Sequence, residues 1–572
     1  MGIAVFSMLK DRTEDEEDKM EEKKDTLRPK LWQTMKGYTK EQFAKDVIAG
    51  IIVAIIALPL SIALALASGV APEQGIYTAI IAGFLISFFG GSRVQIAGPT
   101  AAFATIVAGI VAKQGMDGLI LATMLAGVFL ILMGIFRLGN LIRFIPYTIT
   151  TGFTAGIAVT IVIGQIKDFL GVTYQHNEAP IESMEKIEAV WNNLNTVNVQ
   201  ALIVGAVCLA ILIIWPYINK VIPGSLIAVI VGIALVSGLH MEVNTIGDLY
   251  TISNKLPGLQ VPSISFKAIQ NVLPDAFTIA ILAAIESLLS CVVADSIIHS
   301  KHNSNMELVA QGIGNIGSAL FGGIPATGAI ARTAANIKNG GRTPVAGMVH
   351  AIVLVLVLVV LMPYAALIPM PAIAAILFMV AYNMCGWRTF VHVIKTSPKS
   401  DITVMVLTFF LTVIFDLVAA IEFGMILACL LFMKRMSDVT NVEGWKYIGE
   451  DAEDDADAID LKEVPKNTLV YEISGPLFFG AADKLLSITV DKTHNCLVLR
   501  MRSVNAIDAT AVHSIEQLYE ECERKGITLI LSHVNEQPES VLRKSGLYDR
   551  IQSENICVHI DDALERAAQL MS

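Results

Sequence analysis

The chain has 572 residues, of which 54% are hydrophobic and only 16% are charged, and its formal net charge is −11. An ordinary soluble protein is about one quarter charged, so this composition excludes a chain that is soluble along its whole length. Runs of roughly 20 apolar residues recur from residue 46 to residue 433, and each could cross a ~30 Å hydrocarbon core. A β-barrel would instead show ~10-residue alternating segments. We therefore predict an all-α polytopic domain in the lipid bilayer.

Three further classes of protein are disfavoured by the residues themselves. No basic stripe points to a nucleic-acid partner. The seven cysteines are scattered, without a CxxC pair or a Cys/His cluster, so we expect buried thiols, and neither a metal nor a cofactor. No set of nucleophile, base and orienting group is evident, and we do not expect an enzyme.

The composition changes along the chain and predicts four parts. Residues 1–45 are charged and lack the apolar core of a signal peptide, so they are predicted to form a cytosolic arm. Residues 46–436 form the predicted transmembrane domain, and residues 437–465 an acidic linker. Residues 466–572 have the lower hydrophobic density of a small soluble domain.

The positive charges between the apolar segments predict the orientation in the membrane. We count about fourteen segments, several of them short. With the N-terminus in the cytosol, ten basic residues fall in inside loops and five in outside loops. The inside residues are Arg93, Arg137, Arg143, Lys220, Lys301, Lys338, Arg342, Arg388, Lys395 and Lys399, and the outside residues are Lys113, Lys167, Lys186, Lys255 and Lys267. This bias predicts an even number of crossings and cytosolic termini. We expect a multi-pass protein of the plasma membrane.

Local patterns in the soluble part predict an α/β domain. The stretches "NTLVYEISGPLFFG", "NCLVLRMRSV" and "ITLILSHV" are β-branched, apolar runs bounded by turn residues, which is typical of strands. The stretch "ATAVHSIEQLYEECERKG" has helical spacing and ends at Gly526, a C-cap signal. Alternation of these elements predicts a sheet covered by helices.

An internal repeat indicates where a functional site lies. Similar apolar segments begin at Asp46 and Asp275, and each is followed by an interrupted, small-residue segment. Gly98 lies 52 residues after Asp46, and Gly328 lies 53 residues after Asp275. Matching interrupted segments in two halves favour the central site of a transporter. The alternative is that glycine and proline merely ease helix packing.

Arg332 lies near the start of the second interrupted segment, "GGIPATGAIARTAANIKNGG". A half-helix that begins in mid-membrane presents free N–H groups and a partial charge of about +0.5. Two such ends facing each other would bind an anion, and Arg332 would add a full charge. Alternatively, Arg332 pairs with a neighbouring acid or extends its head group toward the cytosol.

Glu286 is the second charge placed inside an apolar segment, "LAAIESLLS", with Ser290 one turn away on the same face. A carboxyl in an apolar environment favours its neutral form, so Glu286 could bind and release protons near neutral pH. The alternative interpretation is a permanent ion pair with Arg332.

These same stretches resemble a known family. "DVIAGIIVAIIALPLSIALALASG", "GGSRVQIAGPTAAF", "IESLLSCVVAD" and "ARTAAN" resemble the SulP family, the sulfate-type anion permeases that include prestin and pendrin, and the tail resembles a STAS domain. The resemblance looks closest to the bacterial proton-coupled C4-dicarboxylate uptake branch. It implies a seven-plus-seven inverted repeat, core and gate domains, and a homodimer.

The resemblance also implies site residues, with the anion between the third and tenth helices. The positions assigned to substrate binding are Leu60, Leu64, Thr100, Ala331, Arg332 and Thr333. Glu286 matches an acidic position that couples protons in some members and helps to bind sodium in the bicarbonate branch. That branch lacks an arginine at position 332, which argues against sodium–bicarbonate symport. Leu64 and Thr100 stand where animal members have large aromatic residues, which leaves room for a larger substrate or for one that is held differently.

In the tail, "NAIDATAVHSI" resembles the STAS loop that carries a phosphorylated serine in stand-alone relatives, and Thr510 occupies that position. The alternative role of Asp508 or Thr510 is to cap the following helix. A STAS domain also implies a cytosolic protein partner.

The leading hypothesis is a secondary active transporter of small anions, either a dicarboxylate such as succinate or fumarate, or sulfate. Proton-coupled symport by alternating access is its expected mechanism. The alternatives are an anion channel or exchanger, a bicarbonate transporter, or a sensor that signals through the STAS domain. A nucleobase permease of similar fold is a weaker alternative, because it would prefer neutral polar groups to Arg332.

Overall fold

The computed structural model describes most of the chain, which divides into two compact units, Met1–Met425 and Ile426–Ser572. The described residues are 27–140, 146–174, 180, 182–219, 222–415, 417–444, 464–490 and 493–570. Residues 1–26 of the predicted arm, residues 445–463 of the predicted linker, Arg143 and Lys220 lie outside the described residues.

The first unit is built almost entirely of helices. In chain order they are α1 (Lys30–Thr34), α2 (Lys40–Ala67), α3 (Pro72–Phe89), α4 (Ala104–Ile135), α5 (Tyr147–Leu170), α6 (Ser183–Asn192), α7 (Val199–Ile218), α8 (Gly224–Leu239), α9 (Ile246–Leu249), α10 (Phe266–Ile298), α11 (Ser304–Leu320), α12 (Ile330–Lys338), α13 (Val345–Ala365), α14 (Met370–Cys385), α15 (Trp387–Thr396) and α16 (Lys399–Ile414). A further helix, α17 (Leu417–Val439), continues into the second unit. Within the described residues, eight helical stretches are long and apolar enough to cross a membrane, and α8 is a shorter apolar helix. The predicted polytopic helical membrane domain is confirmed.

The helices of the first unit form two packed groups. In one group α4 packs against α10 and α11, and α13 packs against α2 and α3. In the other group α14 packs against α5 and α7, and α16 packs against α5. The outward faces keep large apolar side chains exposed, for example Ile352, Leu356 and Val360 on α13, as expected of surfaces that contact lipid rather than water.

Both interrupted segments contain a short extended stretch followed by a helix. The stretches are β1 (Ala97–Gly98) and β2 (Thr327–Gly328). After β1 the chain forms a 3-10 turn over Ala101–Phe103 and then α4, which is broken at Gly115 by a left-handed φ of 69°. After β2 the chain enters α12, which has only nine residues. The first half-helix therefore ends near Gly115 and the second at Lys338.

The second unit contains a five-stranded sheet and short helices. The strands are β3 (Asn441–Gly444), β4 (Thr468–Ser474), β5 (Cys496–Ser503), β6 (Thr528–Ser532) and β7 (Ile556–Cys557), and the helices are α18 (Asp483–Leu486), α19 (Ala509–Lys525), α20 (Glu536–Lys544), α21 (Leu547–Ile551) and α22 (Ile560–Gln569). The strand order is β3-β4-β5-β6-β7, with β3 antiparallel to β4 and the other pairs parallel. The predicted strands β4, β5 and β6 and the predicted helix α19 are present, and α19 ends at Gly526 in the left-handed conformation.

Two details of this unit bear on the sequence analysis. Strand β3 lies inside the range 437–465 that was predicted as a linker, and it pairs with β4 through Val442 and Ile473. Asp508 is the N-cap of α19, where its carboxylate accepts a hydrogen bond from the Ala511 N–H at 2.9 Å. Thr510 is exposed on the first turn. Of the two candidates for the cap, the structure selects Asp508.

Candidate functional site

The two interrupted segments meet inside the first unit. β1 and β2 pair antiparallel, with Ala97 opposite Gly328 and Gly98 opposite Thr327. The Ala329 N–H extends this pairing with a bond of 2.9 Å to the Ile96 carbonyl. Because each half-helix begins directly after its strand, the pairing brings both helix N-termini to one place.

Two glycines at this crossing leave space for neighbouring side chains. A Cβ at Gly98 would lie 2.2 Å from Nη1 of Arg332, and a Cβ at Gly328 would lie 2.1 Å from Nε2 of Gln95. A side chain at either position would therefore displace the end of Arg332 or of Gln95. The two glycines that mark the repeat in the sequence therefore make room for Arg332 and Gln95.

Buried hydroxyl and amide groups hold the second strand in place. The Ser287 hydroxyl on α10 accepts a hydrogen bond from the Gly328 N–H at 3.1 Å and lies 2.6 Å from the Thr327 hydroxyl. The Asn315 amide on α11 bonds both the N–H and the carbonyl of Ala326, each at 2.9 Å. These bonds satisfy backbone groups that have no ladder partner in so short a sheet.

A buried carboxylate holds the approach to the first strand. Glu307 on α11 is 0% exposed, and it accepts hydrogen bonds from the backbone N–H groups of Gly91 and Ser92 at 2.9 and 3.2 Å. The Gln95 and Gln311 amides donate to it at 2.7 and 2.9 Å. Sequence reasoning missed this group, although polar residues at positions 307, 311 and 315 recur every four residues along one helix face.

The N-terminus of the second half-helix carries unpaired donors. Ala329 caps α12 without any side-chain hydrogen bond. Among the described residues, no group accepts from the N–H groups of Ile330, Ala331 and Arg332. Ile330 is 45% exposed, and Ala331 is exposed as well. A helix end of this kind has the partial positive charge that attracts anions.

Arg332 is buried, with 1% of its surface exposed, yet it has few partners. Its Nη2 donates to the Ser61 hydroxyl at 3.3 Å and to the Pro99 carbonyl at 3.2 Å. Its Nε and Nη1 have no partner within the described part of the chain. No acidic side chain in that part pairs with it, and its burial excludes an extended head group. Both alternative interpretations of Arg332 thus disagree with the structure.

Glu286 lies on α10 and is partly exposed. Its Oε2 accepts a hydrogen bond from the Thr100 hydroxyl at 2.8 Å, which joins the second half of the protein to the first interrupted segment. In the described structure Glu286 and Arg332 form no ion pair. The carboxyl group therefore bonds to the first interrupted segment and makes no direct contact with the guanidinium in the described structure.

The other predicted substrate residues have different environments. Leu64 is 2% exposed and lies one turn from Ser61 on α2, whereas Leu60 is partly exposed. The Thr333 hydroxyl accepts from the Ile96 N–H at 3.1 Å and from the Ser290 hydroxyl at 3.5 Å, so it is engaged within the scaffold. Among the described residues, no three His, Cys, Asp or Glu side chains form a group that could hold a metal ion.

Comparisons with known proteins agree with this architecture. The profile of the Sulfate permease family matches residues 43–408, and the profile of the STAS domain matches residues 458–565. The protein YvdB of Bacillus subtilis (strain 168), named a putative sulfate transporter, is 39% identical over 539 residues, which is 92% of this chain and 98% of that protein. The bicarbonate transporter BicA of Picosynechococcus sp. is 31% identical, covering 91% of this chain and 94% of that protein.

Solved structures show the same fold. The murine Slc26a9 anion transporter in its inward-facing state superposes with a TM-score of 0.85 at 18% identity, covering 95% of this chain and 94% of that chain. The transmembrane domain of a cyanobacterial BicA superposes with a TM-score of 0.60 at 31% identity, covering 68% of this chain and 98% of that chain. The named relatives are transporters, in agreement with the expectation that the chain is not an enzyme. With a family match across the membrane domain and a relative of 39% identity along nearly its whole length, the chain belongs to the sulfate permease family and carries a C-terminal STAS domain.

Proposed function

We propose that the protein is a secondary active transporter that moves small anions by proton-coupled symport and alternating access. The observation that carries this proposal is the buried Arg332, whose Nε and Nη1 donors have no partner in the described structure. A buried charge with unsatisfied donors is costly unless a ligand completes its hydrogen bonds. An anion supplies both the charge and the acceptors.

The shape of the donor set favours an oxyanion. A guanidinium binds a carboxylate or sulfate through two parallel hydrogen bonds. The N–H groups of Ile330 and Ala331 lie on the same turn and can bind a further oxygen. We assign anion binding to Arg332 and to this first turn. Leu60, Leu64 and Thr100 are then the candidates for the wall of the site.

Charge explains why a proton would accompany the anion. The two half-helix ends supply roughly +1 together, and Arg332 supplies one further charge. An ionised Glu286 leaves about +1 at the site, and a protonated Glu286 leaves about +2, which suits a dianion. Proton and dianion then favour each other's binding, and this coupling is reciprocal. We therefore assign the coupling proton to Glu286.

The substrate class we propose is a dianion, namely sulfate or a C4-dicarboxylate such as succinate or fumarate. The relative named a putative sulfate transporter supports sulfate, and the resemblance of the motifs to the C4-dicarboxylate branch supports the dicarboxylates. A second candidate is bicarbonate, because two curated relatives that are 31% identical are named bicarbonate transporters. Bicarbonate carries a single charge, so its binding would not need a protonated Glu286.

The experiment is uptake of radiolabelled sulfate, succinate, fumarate and bicarbonate into proteoliposomes, with and without an inward proton gradient. Accumulation above the external concentration that requires the gradient supports the proposal. Uptake that only equilibrates across the membrane would identify a channel. Uptake that depends on an internal anion would identify an exchanger. A protein that neither binds nor moves any of the four anions would overturn the assignment.

We further propose a homodimer in the plasma membrane, with both termini in the cytosol and the STAS domain available to a cytosolic protein partner. The positive-inside bias of the loops supports this orientation. The second compact unit, Ile426–Ser572, contains the STAS domain. Labelling of single cysteines placed in the arm and in the STAS domain, from either side of intact cells, tests it. Cross-linking in native membranes tests the dimer.

A further inference from the structure

Asp46 and Asp275 begin the two repeats, yet neither belongs to the anion site. Asp46 is 0% exposed, and its carboxylate receives five hydrogen bonds. Oδ1 accepts from the Gln42 amide at 3.0 Å, the Arg342 N–H at 2.9 Å and the Thr343 N–H at 3.4 Å. Oδ2 accepts from the Tyr38 hydroxyl at 2.9 Å and the Thr343 hydroxyl at 2.6 Å.

These bonds tie the loop after α12 to the beginning of α2. The Gln42 amide also donates to the Gly340 carbonyl at 3.1 Å, so the tie begins two residues after α12 ends. Arg332 is the third residue of α12, and about 9 Å of helix separates it from the last residue, Lys338, at 1.5 Å per residue. Because this helix is so short, we expect a shift at its end to displace Arg332.

The aspartate that begins the second repeat makes a corresponding hydrogen bond to the first half-helix. Asp275 on α10 accepts a hydrogen bond from the Gln114 amide at 3.1 Å, and Gln114 directly precedes the break at Gly115 that ends the first half-helix. Each aspartate thus lies on the first helix of one half and holds the end of the other half's half-helix. The two ties differ in environment, because Asp46 is fully buried and Asp275 is partly exposed.

We propose that Asp46 is a positioning residue that clasps the Arg332 half-helix to the segment preceding the first membrane span, and that Asp275 holds the first half-helix in the matching way. This inference rests on the proposed function, since it concerns how Arg332 is placed for the anion. It also gives residues before the first span a direct mechanical connection to the site.

The groups around Asp46 act as hydrogen-bond donors. Burial, followed by the hydrogen bond to Asp46, raises the pKa of Tyr38 to about 12, so at neutral pH this hydroxyl keeps the proton that it donates. All five groups around Asp46 donate in the structure, including two backbone N–H groups that cannot accept. An asparagine at position 46 would keep the three bonds to Oδ1 only with its NH2 group toward the Tyr38 and Thr343 hydroxyls. Both hydroxyls would then have to accept instead of donate, and the negative charge that strengthens all five bonds would be lost.

The test compares four substitutions in the full-length protein, with sulfate as the probe. Asp46→Asn and Thr343→Val are expected to weaken sulfate affinity about tenfold, because displacement of a binding group by a fraction of an ångström has effects of this size. Thr343→Ser keeps the hydroxyl and is expected to bind like the wild type. Asp275→Asn is expected to have a smaller effect than Asp46→Asn.

Hydrogen exchange gives a readout that does not depend on the anion. Asp46→Asn and Thr343→Val are expected to accelerate exchange in residues 330–340 while α11 stays protected. If Asp46→Asn does not fold, the test is the difference in hydrogen exchange of residues 330–340 between Thr343→Val and Thr343→Ser. Exchange in residues 330–340 that is unchanged in well-folded Thr343→Val overturns the clasp, whichever anion the protein binds. A wild type that binds no anion, together with accelerated exchange in the variants, overturns the proposed function and leaves the clasp.

Discussion

In the first interrupted segment the residue four positions after Gly98 is Ala102, whereas in the second the residue four positions after Gly328 is Arg332. The helices that begin the two halves differ in the same way. Eleven residues after Asp46 stands Ala57, and eleven residues after Asp275 stands Glu286. Both charged groups of the site therefore come from the second half, and small apolar residues hold the matching positions of the first.

The first half supplies the neutral partners of these charges. Arg332 donates to the Ser61 hydroxyl on α2, and Glu286 accepts from the Thr100 hydroxyl after β1. A strictly symmetric site would place two guanidinium groups and two carboxyl groups at one crossing, where like charges repel in a low dielectric. The comparison indicates that the two halves share a scaffold but not its charges. In the function that we propose, this asymmetry gives a net positive site for one anion.

Removal of the charge from the second segment has the largest expected effect. Arg332→Ala should make both segments alike and reduce anion affinity by on the order of a hundredfold or more, because a buried charge-assisted contact is lost. Binding measured by calorimetry checks this, with Arg388→Ala as a control that removes an exposed arginine elsewhere. Uptake at the wild-type rate in well-expressed Arg332→Ala would contradict the hypothesis that Arg332 binds the anion.

Neutralisation of the second charge should separate binding from coupling. Glu286→Gln can still accept the Thr100 hydrogen bond, so substrate binding should be retained. Accumulation driven by an inward proton gradient should be lost. In the wild type, affinity for a dianion should rise as the pH falls, because protonation of Glu286 adds one positive charge to the site, and in the variant it should not.

Proteoliposome uptake and binding titrations across a range of pH check both expectations. If Glu286→Gln accumulates substrate like the wild type, another residue carries the proton. If dianion affinity in the wild type is independent of pH, the charge argument is wrong.

Removal of a neutral partner in the first half should have a smaller effect. Ser61→Ala deletes one of the two side-chain hydrogen bonds that Arg332 makes in the described structure. We expect affinity to fall about tenfold, since a hydrogen bond to a charged group is lost. Ser296→Ala, which removes an exposed hydroxyl from α10, is the matched control. Equal affinities in the two variants would show that Ser61 does not orient the guanidinium.

The smallest effect is expected when the soluble domain is removed. If the two interrupted segments contain the whole site, truncation after Met436 should change anion affinity by less than about twofold, although stability or transport rate can fall. Binding to the purified truncated protein checks this, with the full-length protein as reference. A folded truncated protein that does not bind the anion would show that part of the site lies outside the two interrupted segments.

Much of the scaffold could be predicted because its signals are local. Glycine and proline inside apolar segments mark the breaks, and charged residues inside apolar segments mark positions that need a partner or a ligand. In the soluble unit the strands β4, β5 and β6 and the Gly526 cap follow from short patterns in the sequence. Strand β3 could not be predicted in this way, because its four residues, "NVEG", carry no strand signal of their own. They are extended because they pair with β4.

The polar groups that support the site were missed. Ser61, Gln95 and Ser287 are single small or neutral residues in apolar surroundings, and the sequence does not distinguish them from residues that ease helix packing. The buried carboxylate of Glu307 becomes meaningful only when the loop at Gly91 is seen to donate to it. The predicted domain boundaries, the substrate residues and the number of crossings stay predictions.

By itself the sequence determined the helical membrane class, the repeat, the two breaks, and the presence of Arg332 and Glu286 in apolar segments, because each depends on neighbouring residues along the chain. Only the tertiary structure decided that Arg332 pairs with Ser61 and Glu286 with Thr100, across 271 and 186 residues of chain. The same holds for the unpaired donors of Arg332. Such contacts depend on how helices from the two halves pack together, and local sequence patterns do not determine that packing geometry.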